Sequence, residues 1–397
     1  MRLKLIGFLK HHPKLLNFGY GIFRAFLNFL GIFIRKKKKI VFVSYGGRKL
    51  DDSPYTVYKE ICSRKEFDGY DIVWAFVDPD QHELERGRKV KVDTPRFFYE
   101  LLSAKIWVSN TGIDRDIGIS KRKVISVETW HGCPIKKICG EEHTNSTQNK
   151  SLQKGKKDAR TIRCAQSMHD LKIFARVFHA EESAFLLSDL PRNDELVVGK
   201  PKDELLSIKE SLGIPVDKKV ILYMPTYREY NVDKDYNTYI APPINMSEWK
   251  SRLGSDYVLL MRAHYAVNVA LNIQNDGFVV DVSSFPKIND LYLLADILIS
   301  DYSSAYMDYA ILERPMLCFA YDYEEYSEKR GLYLKLEEVL PCEVDRDEAS
   351  LLNRIENMDY DEYSLRTKAF KEIYAPFAGK ASAAVVDAIV KKINFKA

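Results

Sequence analysis

The sequence predicts an α/β protein of two doubly wound domains facing each other across a cleft, behind a basic N-terminal helix. Three observations carry this expectation. Short β-rich runs alternate with helical ones from residue 40 onward, as in parallel sheets built from strand–helix–strand units. The alternation forms two series of similar length that meet near Pro201 to Pro215. The charge is also divided: residues 1–50 carry twelve Lys or Arg and no Asp or Glu, leaving 48 basic and 56 acidic groups in residues 51–397. The net charge of +4 on 397 residues is therefore a head of +12 on a body of −8. An acidic body excludes nucleic acid as its main partner, because phosphate tracking needs distributed Lys and Arg. A cationic head points to an anionic surface.

The head, residues 1–39, is built around Leu15 to Ile34, an apolar stretch of 20 residues and so long enough to span a bilayer. Its phase argues for another placement. Lys10, Lys14, Asn17, Gly21, Arg24, Asn28, Gly31 and Arg35 recur every three or four residues on one narrow face, while Leu15, Phe18, Ile22, Phe26, Phe29, Leu30 and Phe33 cover the rest. A spanning helix would hold Arg24 near the bilayer centre. The expectation is an amphipathic helix lying in the membrane surface, with packing on the protein's own body and a true span as alternatives. Arg24 also interrupts the apolar core that a signal peptide requires. Arg35, Lys36, Lys37, Lys38 and Lys39 would each add about 1 kcal/mol of attraction to anionic lipid; the plainer reading of this block is a solvated linker.

In the body, Ile40–Tyr45, Tyr70–Val77, Lys105–Ser109 and Lys123–Val127 read as buried strands, with helices at Ser53–Ile61 and Pro95–Ala104. The second series has strands at Val220–Met224, Tyr257–Met261, Phe278–Asp281, Ile297–Ser300 and Met316–Phe319, and helices at Ser247–Leu253, Ile288–Ala295 and Ala305–Leu312. The expected domains are 40–213 and 214–397, with the last helix free to pack back on the first domain. Six cysteines without a CxxC pair suit free thiols in a reducing compartment. No Walker loop, HExxH motif or Cys/His cluster is present, and Asp78-Pro-Asp80 reads as a turn, so neither a metal nor a cofactor is expected.

Candidate chemistry gathers at strand ends, where ligands of doubly wound sheets bind. His131 follows the strand ending at Val127, on a turn with Gly132 and Pro134, and its pKa suits general-base work near neutrality. Pro225, Thr226 and Arg228 end the first strand of the second series, the arginine offering a fork of donors for phosphate. Arg262 and His264 end the next and lie on one side of an extended segment. Ser303 or Ser304 would cap a helix whose first turn offers free N–H groups to an anion, and Asp308 lies one turn in. Each has a plainer reading as a turn, a surface arginine or a cap.

Taken in order, Thr129-Trp-His-Gly-Cys-Pro-Ile-Lys136, Leu190-Pro-Arg-Asn-Asp194, Pro225-Thr-Tyr-Arg228, Arg262-Ala-His264 and Ser300-Asp-Tyr-Ser-Ser-Ala-Tyr-Met-Asp308 resemble the CDP-glycerol glycerophosphotransferase family of teichoic acid primases and polymerases. The match runs from about Ile40 to Ala375. That family usually has Thr where Cys133 stands and Gly where Asp189 or Leu190 stands. The resemblance implies a GT-B-like fold of two Rossmann-like domains, with the nucleotide held mainly by the second. It implies a peripheral enzyme on the cytoplasmic face of a bacterial membrane that moves a polyol phosphate from a CDP-linked donor, CDP-glycerol or a related CDP-polyol, to a lipid-linked acceptor and releases CMP.

On that reading His131 and His264 are catalytic, His131 taking the acceptor's proton. Donor binding falls to Gly132, Cys133, Pro134, Ile135, Arg192, Pro225, Thr226, Arg228, Arg262, Ser303, Ser304 and Asp308. A GT-B glycosyltransferase using a nucleotide sugar and a non-catalytic membrane-surface binding protein are the competing readings, and a homo-oligomer is left open.

Overall fold

The structure is a computed structural model that describes residues 13–142, 160–228, 242–263 and 276–394. Two fully parallel sheets organise it. The first runs in the order β3 (Arg88–Lys91), β2 (Asp71–Phe76), β1 (Lys37–Val43), β4 (Ala104–Ser109), β5 (Ile125–Glu128), β6 (Thr161–Ala165) and β7 (Phe185–Leu187). The second runs β10 (Val279–Asp281), β9 (Tyr257–Met261), β8 (Lys219–Met224), β11 (Ile297–Ser300), β12 (Met316–Phe319) and β13 (Val344–Asp345). In each sheet the order reverses beside the first strand, between β1 and β4 and between β8 and β11, and the loops that leave there form the crevice typical of doubly wound folds.

The central strands are near-continuous apolar runs because helices cover both faces of a parallel sheet. Ile40, Val41, Phe42 and Val43 of β1 are all fully buried, as are Val220, Ile221, Leu222 and Tyr223 of β8. The strands β3, β6, β7 and β13 were not expected from the sequence: β3 reads Arg-Lys-Val-Lys, and β7 and β13 have three and two residues, too polar or too short for a period-2 signal.

The two units are tied together by chain that crosses between them. Cys133 and Ile135, from the loop after β5, lie in the core of the second sheet. Lys136 bridges Leu332, and Tyr333 N–H donates to the Ile135 carbonyl (2.8 Å). In return, Val385, Val386 and Ile389 of the C-terminal helix (Ala381–Asn394) fill the core of the first sheet.

The N-terminal helix spans Pro13–Phe33. It turns its narrow face inward: Asn28 Oδ1 accepts from Ser120 N–H (2.7 Å), Gly31 lets the helix approach Leu102, and Leu27 is buried with Leu30 and Ile34 beside it. Arg24 is exposed but lies along Gly118. The narrow face therefore meets protein at Asn28 and Gly31, and Phe18, Ile22, Phe26, Phe29 and Phe33 project outward, Phe33 being 72% exposed. No described helix is long and apolar enough to cross a membrane.

The basic block after this helix is not a free linker. β1 begins at Lys37, which pairs with Ala104, and Lys37 Nζ donates to Tyr99 Oη (3.2 Å). Lys36 is half-buried over the Trp107 ring, and burial lowers its pKa to about 8. Lys39 is buried and ion-paired with Glu100, whose fully buried carboxylate also takes Arg88 (2.7 Å) and Arg96. Lys39 therefore cannot attract lipid, which corrects the expectation for that residue. Arg35, Lys37 and Lys38 remain exposed.

Replacing Glu100 by Ala leaves the buried Lys39 with only the longer contact to Asp71 (3.9 Å) as counter-ion and is expected to cost about 3 kcal/mol in urea unfolding. Lys38→Ala, on the exposed end of the same strand, should cost under about 0.5 kcal/mol. A Glu100→Ala cost as small as that of Lys38→Ala would contradict this assignment.

Candidate functional site

His131 sits where the chain leaves β5. Thr129 N–H donates to the Ser109 carbonyl (3.0 Å), and Trp130 then adopts a left-handed backbone (φ 56°), which turns the chain sharply. The His131 ring stacks on Trp130 (centroids 4.4 Å) and faces Tyr45 (6.1 Å). Its Nδ1 lies 2.9 Å from the Asn110 carbonyl. A carbonyl only accepts, so Nδ1 carries the proton and Nε2 is the basic nitrogen. Burial, with the nearby Arg192 charge, lowers the imidazole pKa against the opposing effects of Asn110 and Asp52, which favours the neutral ring.

Arg192 is the hub of the site. Its Nη1 donates to Asp52 Oδ2 (3.0 Å) and to the His131 carbonyl (2.8 Å), and its Nη2 donates to Asp308 Oδ2 (2.6 Å). Asp52 belongs to the first domain and Asp308 to the helix after β11 in the second. One guanidinium thus joins both domains and the backbone of the histidine turn. Around it, Tyr45 Oη donates to Asp52 (2.6 Å), Asn193 Nδ2 donates to Asp308 Oδ1 (2.9 Å), and Asn289 Nδ2 donates to the Arg192 carbonyl (2.8 Å). Arg192 and Asp308, expected to hold the donor, pair with each other across the two domains. Asp52 and Asp189 keep left-handed backbones (φ 66° and 67°), a local strain that surrounding contacts must maintain.

The histidine turn reaches the serine turn of the second domain directly: a Cβ at Gly132 would collide with Ser304 Oγ, so only glycine permits this approach. Ser303 Oγ accepts from Ala305 N–H (3.2 Å). The helix that follows, Ala305–Tyr309, is five residues long and passes into a single 3-10 turn, shorter than expected. The remaining residues of the loop after β5 are inward-facing. Cys133 Sγ donates to Asp170 Oδ1 (2.8 Å), Pro134 is buried, and Ile135 packs in the second core.

Arg228 also differs from expectation. It is 3% exposed, donates through Nε and Nη2 to both oxygens of Asp322 (2.7 and 2.8 Å) and through Nη1 to Asp301 (2.8 Å), and stacks among the Tyr302, Tyr321 and Tyr326 rings. Its fork is occupied by carboxylates and has no free edge for phosphate. Thr226 N–H donates to Asp301, its buried Oγ1 has no partner among the described residues, and Pro225 beside it is half-buried. Arg262 is the strand-end cation that no described carboxylate neutralises. Its Nη1 donates to the Val282 and Phe285 carbonyls (3.0 and 2.8 Å), which aim it, and Asp51 and Tyr45 of the first domain lie within electrostatic reach. His264 lies outside the described residues. Among the described residues no group of three or more His, Cys, Asp or Glu is placed to hold a metal ion.

The family model for CDP-glycerol:poly(glycerophosphate) glycerophosphotransferases matches residues 26–391. The chain belongs to this family. It is 30% identical to the teichoic acid glycerol-phosphate transferase of Staphylococcus aureus over 89% of this chain and 93% of that one. Against the teichoic acid poly(glycerol phosphate) polymerase of Staphylococcus epidermidis the identity is 32% over 90% of this chain, which spans 51% of that polymerase's length. The solved structure of the wall teichoic acid polymerase TagF superposes with a TM-score of 0.82 at 29% identity, covering 99% of this chain and 98% of that one. The two parallel sheets are thus the GT-B-like fold of this family.

In this family member the site residues that sequence reasoning did not find are Asp52, Tyr45, Asn110 and Asn193. Asp51-Asp52-Ser53-Pro54 reads as a helix start, and only the fold brings Asp52 to Arg192 from 140 positions away. Arg192→Ala leaves two buried carboxylates without their cation and is expected to cost about 3–5 kcal/mol in urea unfolding. Arg192→Lys should recover less than half of it, since one ammonium cannot replace a fork that serves three oxygens.

A second test concerns Asp189, whose pKa burial raises to about 7, with the Asp308 charge adding to the rise. The folded state then binds its proton more tightly than the unfolded state, so this group's contribution to stability falls as pH rises from about 4 to 7. Asp189→Asn is expected to raise Tm more at pH 8 than at pH 5. An equal gain at both pH values would contradict the assignment.

Proposed function

We propose that the protein transfers glycerol phosphate from CDP-glycerol to a lipid-linked glycerophosphate acceptor during teichoic acid synthesis, releasing CMP at the cytoplasmic membrane face. The observation that carries this reading is a neutral His131, its Nδ1 proton held by Asn110, set against the Ser303–Ser304 turn of the opposite domain in a chain of this family. A histidine-to-asparagine variant of TagF soaked with CDPG is among the matched structures, which favours the same donor.

In this mechanism the acceptor hydroxyl oxygen attacks the phosphorus next to glycerol, His131 Nε2 takes the hydroxyl proton, and the bond from that phosphorus to the CMP oxygen breaks. CMP leaves with the bonding electron pair. Arg262, Ser303 and Ser304 neutralise the charge that develops on it, and His264 is kept as the second histidine of the site. Phosphoryl transfer depends chiefly on positioning and charge neutralisation, both of which these groups supply. Gly132 serves by close approach, whereas Arg192 and Asp308 serve by holding the domains together.

His131→Ala is expected to lower CMP release at least about 100-fold while CDP-glycerol binding persists, and near-normal turnover would remove His131 as the base. Because its pKa is lowered, kcat/KM should rise with pH along a limb centred below 6.5 and be flat by pH 7.5. A panel of CDP-glycerol, CDP-ribitol and UDP-sugars separates this reading from a ribitol transferase, an activity named in two relatives, and from a glycosyltransferase.

Membrane attachment rests on the outward apolar stripe of the N-terminal helix, with Arg35, Lys37 and Lys38 beside it. An exposed stripe of this kind marks an interaction surface. A Phe29→Ser/Phe33→Ser double variant, at positions 59% and 72% exposed, should lose binding to anionic vesicles and keep its fold. Unchanged sedimentation with vesicles would contradict the proposed attachment.

A further inference from the structure

An open cavity of about 650 Å³ lies between the N-terminal helix and the loops that follow β1 and β4. Its size is that of a small-molecule site. We propose that this cavity is the acceptor subsite, which takes the polyol-phosphate end of the acceptor while the lipid anchor leaves along the outward face of the N-terminal helix. The proposal deepens the transferase reading above and rests on it.

Position is the first argument. The loop after β1 supplies Tyr45, Gly46 and Arg48, and the loop after β4 supplies Thr111, Gly112 and Asp116. These loops leave the carboxyl ends of the two strands that flank the reversal of strand order, where doubly wound sheets bind ligands. No residue of the second domain lines the cavity, so it does not compete with a donor held by that domain.

The cavity also shares a wall with the base. Tyr45 lines it and faces the His131 ring at 6.1 Å. Asn110, next to Thr111, accepts from Tyr45 N–H through Oδ1 (2.8 Å) and from His131 Nδ1 through its carbonyl. One residue therefore sets both the cavity wall and the tautomer of the base.

The lining suits a polyol phosphate more than a bare anion. Arg48 is exposed, and no described carboxylate neutralises it; its Nη1 meets the Tyr45 carbonyl at 3.3 Å. Arg115, by contrast, is spent on structure, forking to Asp93 (2.9 and 2.8 Å) and donating to the Gly46 carbonyl (3.0 Å). Asp116 lies so close to Gly112 that a Cβ there would strike its Oδ1, and no described cation bonds to it. A guanidinium for phosphate and a carboxyl for hydroxyl groups are both needed by a glycerol-phosphate unit. Tyr20, Phe23 and Phe98 form the apolar side, with Phe23 and Phe98 edge-to-face at 5.3 Å. That side continues into the exposed stripe of the helix.

The test uses the full chain in detergent micelles with three probes: a lipid-anchored glycerol-phosphate trimer, the same trimer without lipid, and inorganic phosphate as competitor. Acceptor KM, CDP-glycerol KM and direct trimer binding are measured. Arg48→Ala should weaken both trimers about tenfold, the loss of one charge-assisted hydrogen bond, while shifting the CDP-glycerol KM less than twofold. Tyr20→Ser, at a half-exposed position, should weaken the lipid-anchored trimer alone. Unchanged trimer affinity in Arg48→Ala would overturn the proposal, as would an equal loss of donor affinity. Displacement of the lipid-anchored trimer by inorganic phosphate as readily as by the trimer without lipid would also overturn it. If the wild-type chain releases no CMP from CDP-glycerol, the transferase reading fails separately, and trimer binding to wild type against Arg48→Ala still decides the subsite.

Discussion

The arrangement depends on one buried guanidinium. Arg192 is the cation shared by Asp52 of the first domain and Asp308 of the second, and it also holds the backbone of His131. Asp170 and Asp189 add further buried carboxyls nearby, and burial raises both, to about 6 and about 7. A buried cluster of acids with one arginine is tolerable only if some acids stay protonated and the arginine never loses its charge. The interaction is therefore better suited to fixing geometry than to adding net stability. What it fixes is the approach of Gly132 to Ser304, and so the distance between the His131 turn of one domain and the Ser303–Ser304 turn of the other.

The fold was largely legible because parallel strands covered on both faces must be apolar throughout. β1, β4, β8, β9 and β11 carry that signature, and the expected spans differ from the observed ones by a few residues at their ends. β3 and β7 escaped notice because edge strands are short and need no apolar face. The site was legible in part. His131 could be found from its place at a strand end, and the serine turn likewise. Arg192 and Arg228 could be seen as important but not understood: what an arginine does depends on which carboxylates the fold brings to it. Asp52 for Arg192, and Asp301 and Asp322 for Arg228, lie 140, 73 and 94 positions away.

The phase of the N-terminal segment separates a narrow row of polar and small residues from a broad apolar face, and the narrow row is the one that packs on the body. A narrow row containing Arg24, Asn28 and Gly31 looks like a water-facing stripe in isolation. Next to a folded body, small side chains permit close helix packing and an amide can satisfy a loop N–H, so the same row becomes the docking face. The charge of the head is also redistributed: Lys39 is consumed by Glu100, and Lys36 is partly buried on Trp107. The attachment to lipid proposed for this helix would then rest mainly on aromatic and aliphatic side chains that face outward.

The central claim is that domain docking through Arg192 presents a neutral His131 whose free nitrogen is Nε2. Nitrogen-15 NMR of the imidazole, assigned with a His131→Gln variant, tests it most directly. The account predicts an Nδ1-protonated tautomer at pH 7 that titrates below 6.5. A ring protonated on Nε2, or one still cationic at pH 7, would contradict it.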